Sequence, residues 1–140
     1  MTVCIDTNVV PGMFTASHAY RPIFEEWFCG RLQRSVSTEI LLEYEEIMQR
    51  KASPQKADAM MQIITLVALR HGNIVFSSPS FRFHLLAADP DDDKFADCAI
   101  ATEADYIITS DHHFDALIGS GYKPQPITPE EFIRRHLAGV

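Results

Sequence analysis

The sequence predicts an α/β fold of three layers, a mostly parallel central sheet with helices on both faces. Three observations carry that prediction. Short β-prone apolar runs alternate with longer segments whose apolar residues recur at three and four. The first run, Thr2-Val3-Cys4-Ile5, has no polar alternation, which suits a strand covered on both faces. Acids follow two of the strands, Asp6 after the first and Asp111 after Tyr106-Ile107-Ile108-Thr109, at the edge where open α/β sheets bind ligands. A length of 140 residues fits one domain, 1–140, with a real core.

In order, the strand Thr2 to Ile5 leads through Asp6-Thr7-Asn8 to a loop over Pro11 to Thr15. A helix over Tyr20 to Cys29 has Phe24, Trp27 and Phe28 on its buried stripe and Gly30 after its end. Arg34-Ser35-Val36 is a weakly signalled second strand. Ser37 then caps a helix with Ile40, Leu41, Tyr44, Ile47 and Met48 on one stripe. Glu43 flanks that stripe on one side and Glu45 on the other, while Glu39 and Glu46 point to solvent. Ser53-Pro54 opens the clearest helix, with Ala57, Met60, Met61, Ile64, Val67 and Ala68 in period, and His71-Gly72 closes it. Asn73 to Phe76 reads as a third strand, and Phe81 to Leu86 as a packed connection. Asp92 or Asp93 begins a helix whose Ala96, Ala99, Ile100 and Ala104 are mostly small, so it packs close to a sheet. After the strand Tyr106 to Thr109 come a short helix from Asp115 to Ile118 and a brief edge strand at Pro126-Ile127. Thr128-Pro129-Glu130-Glu131 is a capping box opening a last helix.

No apolar run is long enough to span a bilayer, and Met1 to Asp6 lacks the order of a signal peptide. Cys4, Cys29 and Cys98 are odd in number, far apart in sequence and set among apolar residues, which fits buried reduced thiols and a cytoplasmic protein, not a zinc cluster. The formal charge of −7, from 19 acids against 12 Lys and Arg, argues against a nucleic-acid binder with a basic face. Bound cations offset such a charge locally.

The acids are concentrated in Asp89-Pro90-Asp91-Asp92-Asp93-Lys94-Phe95-Ala96-Asp97. Alone, that run fits a solvated loop as well as a divalent-metal site, since like charges gather only where water or a cation offsets them. Convergence decides between the two. The predicted topology sends Asp6 and Asp111 to one sheet edge, brings Asp92 and Asp97 there from the start of a helix, and lets Glu43 reach it. Hard oxygen donors suit Mg²⁺ or Mn²⁺. One ion keeps waters for substrate to displace; two, roughly 3.5–4 Å apart, clamp the attacking and leaving oxygens of a phosphodiester. Thr7, Asn8 and Ser110 are available to orient carboxylates or water. An EF-hand starting at Asp89 is excluded, because Lys94 stands where the turn glycine belongs and Ile100 where the bidentate Glu belongs. A phospho-receiver needs an acidic pair after the first strand, and no P-loop or Gly-rich dinucleotide turn is present. His112 and His113 adjoin Asp111, and Lys94 and Arg82 are candidate phosphate contacts.

With these residues in place, the chain resembles the PIN-domain family nearly end to end. Val3-Cys4-Ile5-Asp6-Thr7-Asn8-Val9 is similar to the family's first strand and acid. Ser37-Thr38-Glu39-Ile40-Leu41-Leu42-Glu43-Tyr44 is similar to its second motif, whose acid falls on Glu43. Asp89 to Phe95 resembles a signature of the subgroup of toxin components of toxin–antitoxin pairs, the VapC-like ribonucleases. Ala104-Asp105-Tyr106-Ile107-Ile108-Thr109-Ser110-Asp111 resembles the last strand and acid. The resemblance implies a Mg²⁺- or Mn²⁺-dependent ribonuclease with Asp6, Glu43, Asp97 and Asp111 as catalytic and metal-binding acids and Asp92 as a further metal ligand. Asp92, Asp93 and Asp97 compete for the third position, and many members of the subgroup carry Glu where Asp97 stands. It also implies an RNA substrate, a cognate antitoxin, and a homodimer for which the apolar surface of the first two helices is available. The rival from another class is a binding module, whose acidic cleft holds a metal or a basic peptide without turning over RNA.

Overall fold

The computed structural model of the chain describes residues 1–78 and 93–138. Strands β1 (Thr2–Ile5), β2 (Gln33–Val36), β3 (Ile74–Phe76), β4 (Tyr106–Ile108) and β5 (Gln125–Ile127) form one sheet in the order β3-β2-β1-β4-β5. Every neighbouring pair is parallel. The chain runs outward from β1 through β2 to β3, then crosses back to β4 on the other side of β1. Strand order therefore reverses between β1 and β4, the place where parallel sheets open a crevice at their C-terminal ends. Ile5 pairs with Ile108, and the Asp6 N–H donates to the Ile108 carbonyl at 2.9 Å. That register sets the residues following both strands side by side.

The helices are α1 (Val10–Met13), α2 (Arg21–Phe28), α3 (Thr38–Lys51), α4 (Pro54–His71), α5 (Asp93–Ala101) and α6 (Pro129–Phe132). Their starts follow the capping residues. The Ser37 hydroxyl accepts from the Ile40 N–H, Ser53 from Lys56 and Thr128 from Glu131, each meeting a donor that the first turn leaves unpaired. Only half of the expected capping box forms at α6. The Glu131 carboxylate turns instead to Arg134 and to Arg135, at 2.9 Å from the latter. Gly72 ends α4 in the left-handed region at φ 62°.

Several boundaries differ from the sequence reading. Pro11 to Thr15 is not a plain loop: Thr7–Val9 form a 3-10 turn that runs into α1, too short for any apolar period to reveal. Gly12 is needed there, since a Cβ would stand 2.7 Å from the His18 ring and 2.8 Å from that of Tyr20. Phe28 is off the buried stripe and half exposed, stacked on Phe24 with ring centroids 5.3 Å apart. The short helix after β4 begins at His112, not Asp115, because Asp111 caps it. The last helix loosens into a wider π-type turn over Ile133–Leu137.

The core is continuous from β1 outward. Val3, Cys4 and Ile5 are fully buried, as the unbroken apolar run requires of a central parallel strand. Cysteines distant in sequence meet here. Cys98 of α5 lies against Cys4 of β1, and hydrogen bonding between them together with burial raises the Cys4 thiol well above its usual range. Cys29, expected to be buried, is exposed.

Arg34 is the unexpected member of this core. It is only 1% exposed, and its guanidinium lies 4.6 Å from the Trp27 ring and 5.5 Å from that of Tyr44. None of its guanidinium nitrogens has a hydrogen-bond partner among the described residues. Stacking on aromatic faces returns about 2 kcal/mol to a desolvated cation, less than the several kcal/mol that burying an ion costs. Arg34→Met, similar in length and uncharged, is therefore expected to leave the melting temperature unchanged or raise it. A thermal melt showing a loss of more than about 2 kcal/mol would mean that the stacking outweighs the desolvation.

Candidate active site

At the β1/β4 junction the backbone sets two acids in place and the side chains around them do the orienting. Asp6 follows β1 and is 4% exposed. Its Oδ2 accepts from the Thr109 hydroxyl at 2.8 Å, while Thr109 Oγ1 accepts the Asp111 N–H at 2.9 Å. One buried threonine thus links the first acid to the backbone of the last. Asp111 Oδ1 accepts the His113 N–H at 2.9 Å, which caps the following 3-10 turn, and lies 3.2 Å from His113 Nδ1.

Glu43 reaches the same place from α3. The Thr7 hydroxyl donates to its Oε2, and Lys94 Nζ of α5 stands 2.9 Å from its Oε1. The register of α3 is fixed one residue on, where the buried Tyr44 hydroxyl donates to the Ile5 carbonyl. Glu43 is held to the end of β1 as a result.

Electrostatics show that the acids share one environment. Burial raises the Asp6 carboxyl above the ordinary carboxylate range, and the charges of Asp111 and Glu43 raise it further. Hydrogen bonds from Thr109 and the Thr7 backbone pull the other way without cancelling the rise. Asp97 is 1% exposed on α5, a helix that packs on β1 and β4. Asp93 is half-buried in the first turn of the same helix. Asp92, with the rest of the acidic run before it, lies outside the described residues, as does Arg82.

Asp6, Asn8, Ser110, Asp111, His112 and His113 line an open cavity of about 460 Å³. Among the described residues, no Lys or Arg is in that lining. His112 Nδ1 stands 3.4 Å from Asp115 Oδ2, and its side chain is almost fully exposed.

The donor set suits a hard divalent cation, being carboxylate oxygens with hydroxyl and backbone partners behind them. Among the described residues, no three His, Cys, Asp or Glu side chains close around one point tightly enough to enclose an ion. One of the acids is already paired with Lys94. Its ammonium already occupies one Glu43 oxygen, a cation standing on the acid that a metal would take. The residues fit a divalent ion in type and in their need for positive charge, with Glu43 engaged elsewhere.

Of the predicted residues, Asp6, Glu43 and Asp111 come together. Thr7 orients a carboxylate as expected, whereas Thr109 takes the part considered for Ser110. The signal for Thr109 was its position, last in an apolar run and two residues before an acid, but composition does not separate it from Ser110.

The raised Asp6 carboxyl has a consequence for pH. An acid whose folded pKa lies above its unfolded one weakens folding as pH rises out of the acid range, since the folded state gives up its proton less readily. Metal-free Asp6→Asn is accordingly expected to melt about 2–4 °C above wild type at neutral pH, with the gap closing toward the acid end. A lower melting point for the variant in a chelated pH series would assign Asp6 a structural role instead.

A solved complex of VapBC2 from Rickettsia felis with a DNA fragment from its promoter contains a chain similar to this one at 14% identity, covering 90% of this chain and 98% of the other, with a TM-score of 0.60. VapC20 of Mycobacterium tuberculosis, a toxin that cleaves the sarcin–ricin loop, is similar at 12% identity, covering 86% and 95%, with a TM-score of 0.54. At such identities the likeness concerns the fold. No curated protein sequence matches the chain. The PIN-domain family model matches residues 2–113, which include Asp6, Glu43, Asp97 and Asp111, and the chain belongs to the PIN-domain family.

Proposed function

We propose that this chain is a Mg²⁺- or Mn²⁺-dependent ribonuclease and the toxin of a type II toxin–antitoxin pair. The observation that carries the reading is the meeting of Asp6, Glu43 and Asp111 at the strand-order reversal, where a cation already sits on one of them. Asp6, Glu43, Asp97 and Asp111 would hold the ion, with Asp92 as a further ligand. When bound, a divalent ion supplies charge neutralisation at the phosphoryl oxygens and an activated water.

The chain's own residues supply position. Thr109 fixes Asp6 and the backbone of Asp111, Thr7 fixes Glu43, and His113 turns the Asp111 carboxylate. Such hydrogen bonds keep carboxylates aimed at one point despite their repulsion. The open cavity over Asp6 and Asp111 admits a strand of backbone, and Asn8 and Ser110 offer neutral hydrogen bonds along it. Single-stranded or loop RNA is the fitting substrate, since its backbone is accessible without a duplex-spanning basic face.

The partners proposed are a cognate antitoxin and a second copy of the chain. The two solved relatives are a toxin–antitoxin complex and a toxin, which supports the first. For the second, Phe28 of α2 with Leu66 and Leu69 of α4 border an exposed apolar groove. Among the described residues, no helix is long and apolar enough to cross a membrane. One observation favours the rival reading: the acidic cleft accepts an ammonium at Glu43, as a module capturing basic peptides would.

Cleavage of a single-stranded RNA pool separates the two. Wild type should cut with Mn²⁺ or Mg²⁺, EDTA should abolish cutting, and Asp111→Asn should lower it at least about 100-fold while folding survives. Glu43→Gln should do the same, and Glu45→Gln, across the helix, should leave cutting nearly intact. Cleavage that persists equally in Asp111→Asn and in EDTA belongs to a contaminant. Wild type showing nothing above that background, with either metal, would move the assignment to a binding module.

A further inference from the structure

Lys94 is where the cleft's charge is balanced from within. It is the residue after Asp93 at the start of α5, its side chain is about one-fifth exposed, and its ammonium stands 2.9 Å from Glu43 Oε1. Glu43 Oε2 is taken by Thr7, so both oxygens of this carboxylate are engaged before any ion arrives. Glu43 cannot serve a divalent cation through Oε1 while Lys94 keeps its contact, and serving through Oε2 brings a doubly charged ion beside an ammonium on the same carboxylate. Either way the two cations compete. Lysine is suited to yield, being a point charge on a flexible four-carbon stem.

A released ammonium at this edge has an evident use. Among the described residues, the cavity over Asp6 and Asp111 is lined without Lys or Arg, and the whole chain carries −7, so little positive charge among those residues meets an incoming phosphodiester there. Lys94 is partly exposed and already at the cleft.

We propose that Lys94 is a metal-displaced substrate ligand: it neutralises Glu43 in the metal-free protein, leaves when Glu43 takes a divalent ion, and then contacts the RNA phosphate. The inference rests on the proposed metal-dependent reading and adds to it a substrate-contacting residue whose availability depends on the ion. It makes Lys94 opposed in its two effects, weakening metal binding while strengthening RNA binding. A structural salt bridge between α3 and α5 would show neither effect.

The experiment is calorimetric titration of Mn²⁺ into the metal-free full chain, for wild type, Lys94→Gln, Lys94→Arg, Glu43→Gln and the Glu43→Gln/Lys94→Gln double variant. Fluorescence anisotropy of a labelled single-stranded phosphorothioate RNA at saturating Mn²⁺ accompanies it. Lys94→Gln should bind Mn²⁺ about two- to fivefold more tightly than wild type, the range expected of a partly exposed ion pair, and should bind the RNA more weakly. Lys94→Arg, which keeps the charge, should stay near wild type in Mn²⁺ affinity. Replacing Lys94 in the Glu43→Gln background should change Mn²⁺ affinity little. Equal or weaker Mn²⁺ binding by Lys94→Gln overturns the competition, and unchanged RNA binding overturns the substrate contact. If wild type binds no Mn²⁺ at all, the metal-dependent reading and this inference both fall, which distinguishes that failure from failure of the Lys94 step alone.

Discussion

Negative charge collected at the C-terminal ends of β1 and β4 is the constraint around which the rest of the edge is arranged. A parallel sheet whose order reverses there must bring the residues after Ile5 and Ile108 together, and this sequence puts acids in both places. A third arrives from α3. Burial raises the proton affinity of Asp6, and the charges of Asp111 and Glu43 raise it further. The fold answers with donors. Thr109, Thr7, the Asp111 and His113 N–H groups and one ammonium are each spent on a carboxylate or on the residue that holds it. None carries enough positive charge to neutralise the cluster, which is why the arrangement reads as preparation for a cation.

The same edge explains which parts of the structure were legible in the sequence. Strands and long helices announced themselves, because burial on both faces demands unbroken apolar runs and an amphipathic helix demands its period. The caps at Ser37, Ser53 and Thr128 were readable for a similar reason, each meeting a local need within three residues. Asp6, Glu43 and Asp111 were readable because topology, once predicted, sends strand ends to a common place. Glu43 was distinguished from Glu45 by the family motif rather than by periodicity, since both flank the apolar stripe.

What stayed hidden were relations between residues far apart in the chain. Nothing local in β2 signals that Arg34 would be buried between Trp27 and Tyr44, or that Cys4 and Cys98, 94 positions apart by their numbers, would touch. Lys94 looked like a phosphate contact, and its hold on Glu43 depends on how α3 and α5 approach each other. Phe28, the last residue of α2, is half exposed against its helical period. The longest acidic stretch in the sequence was the least informative, for a run of like residues says little about which member faces inward.

The placement of β4 also fixes when the site can exist. Asp6 is made before Thr109, but its hydrogen bond to that residue spans 103 positions, and β1 has no neighbour on that side until β4 is inserted. Contacts so distant in sequence form late, after the loop between them has been closed. A chain emerging from the ribosome therefore carries β1, β2 and β3 without the edge at which the acids meet. The cluster becomes complete only when translation is past Asp111, so a copy that stops short of that residue lacks its full set of acids.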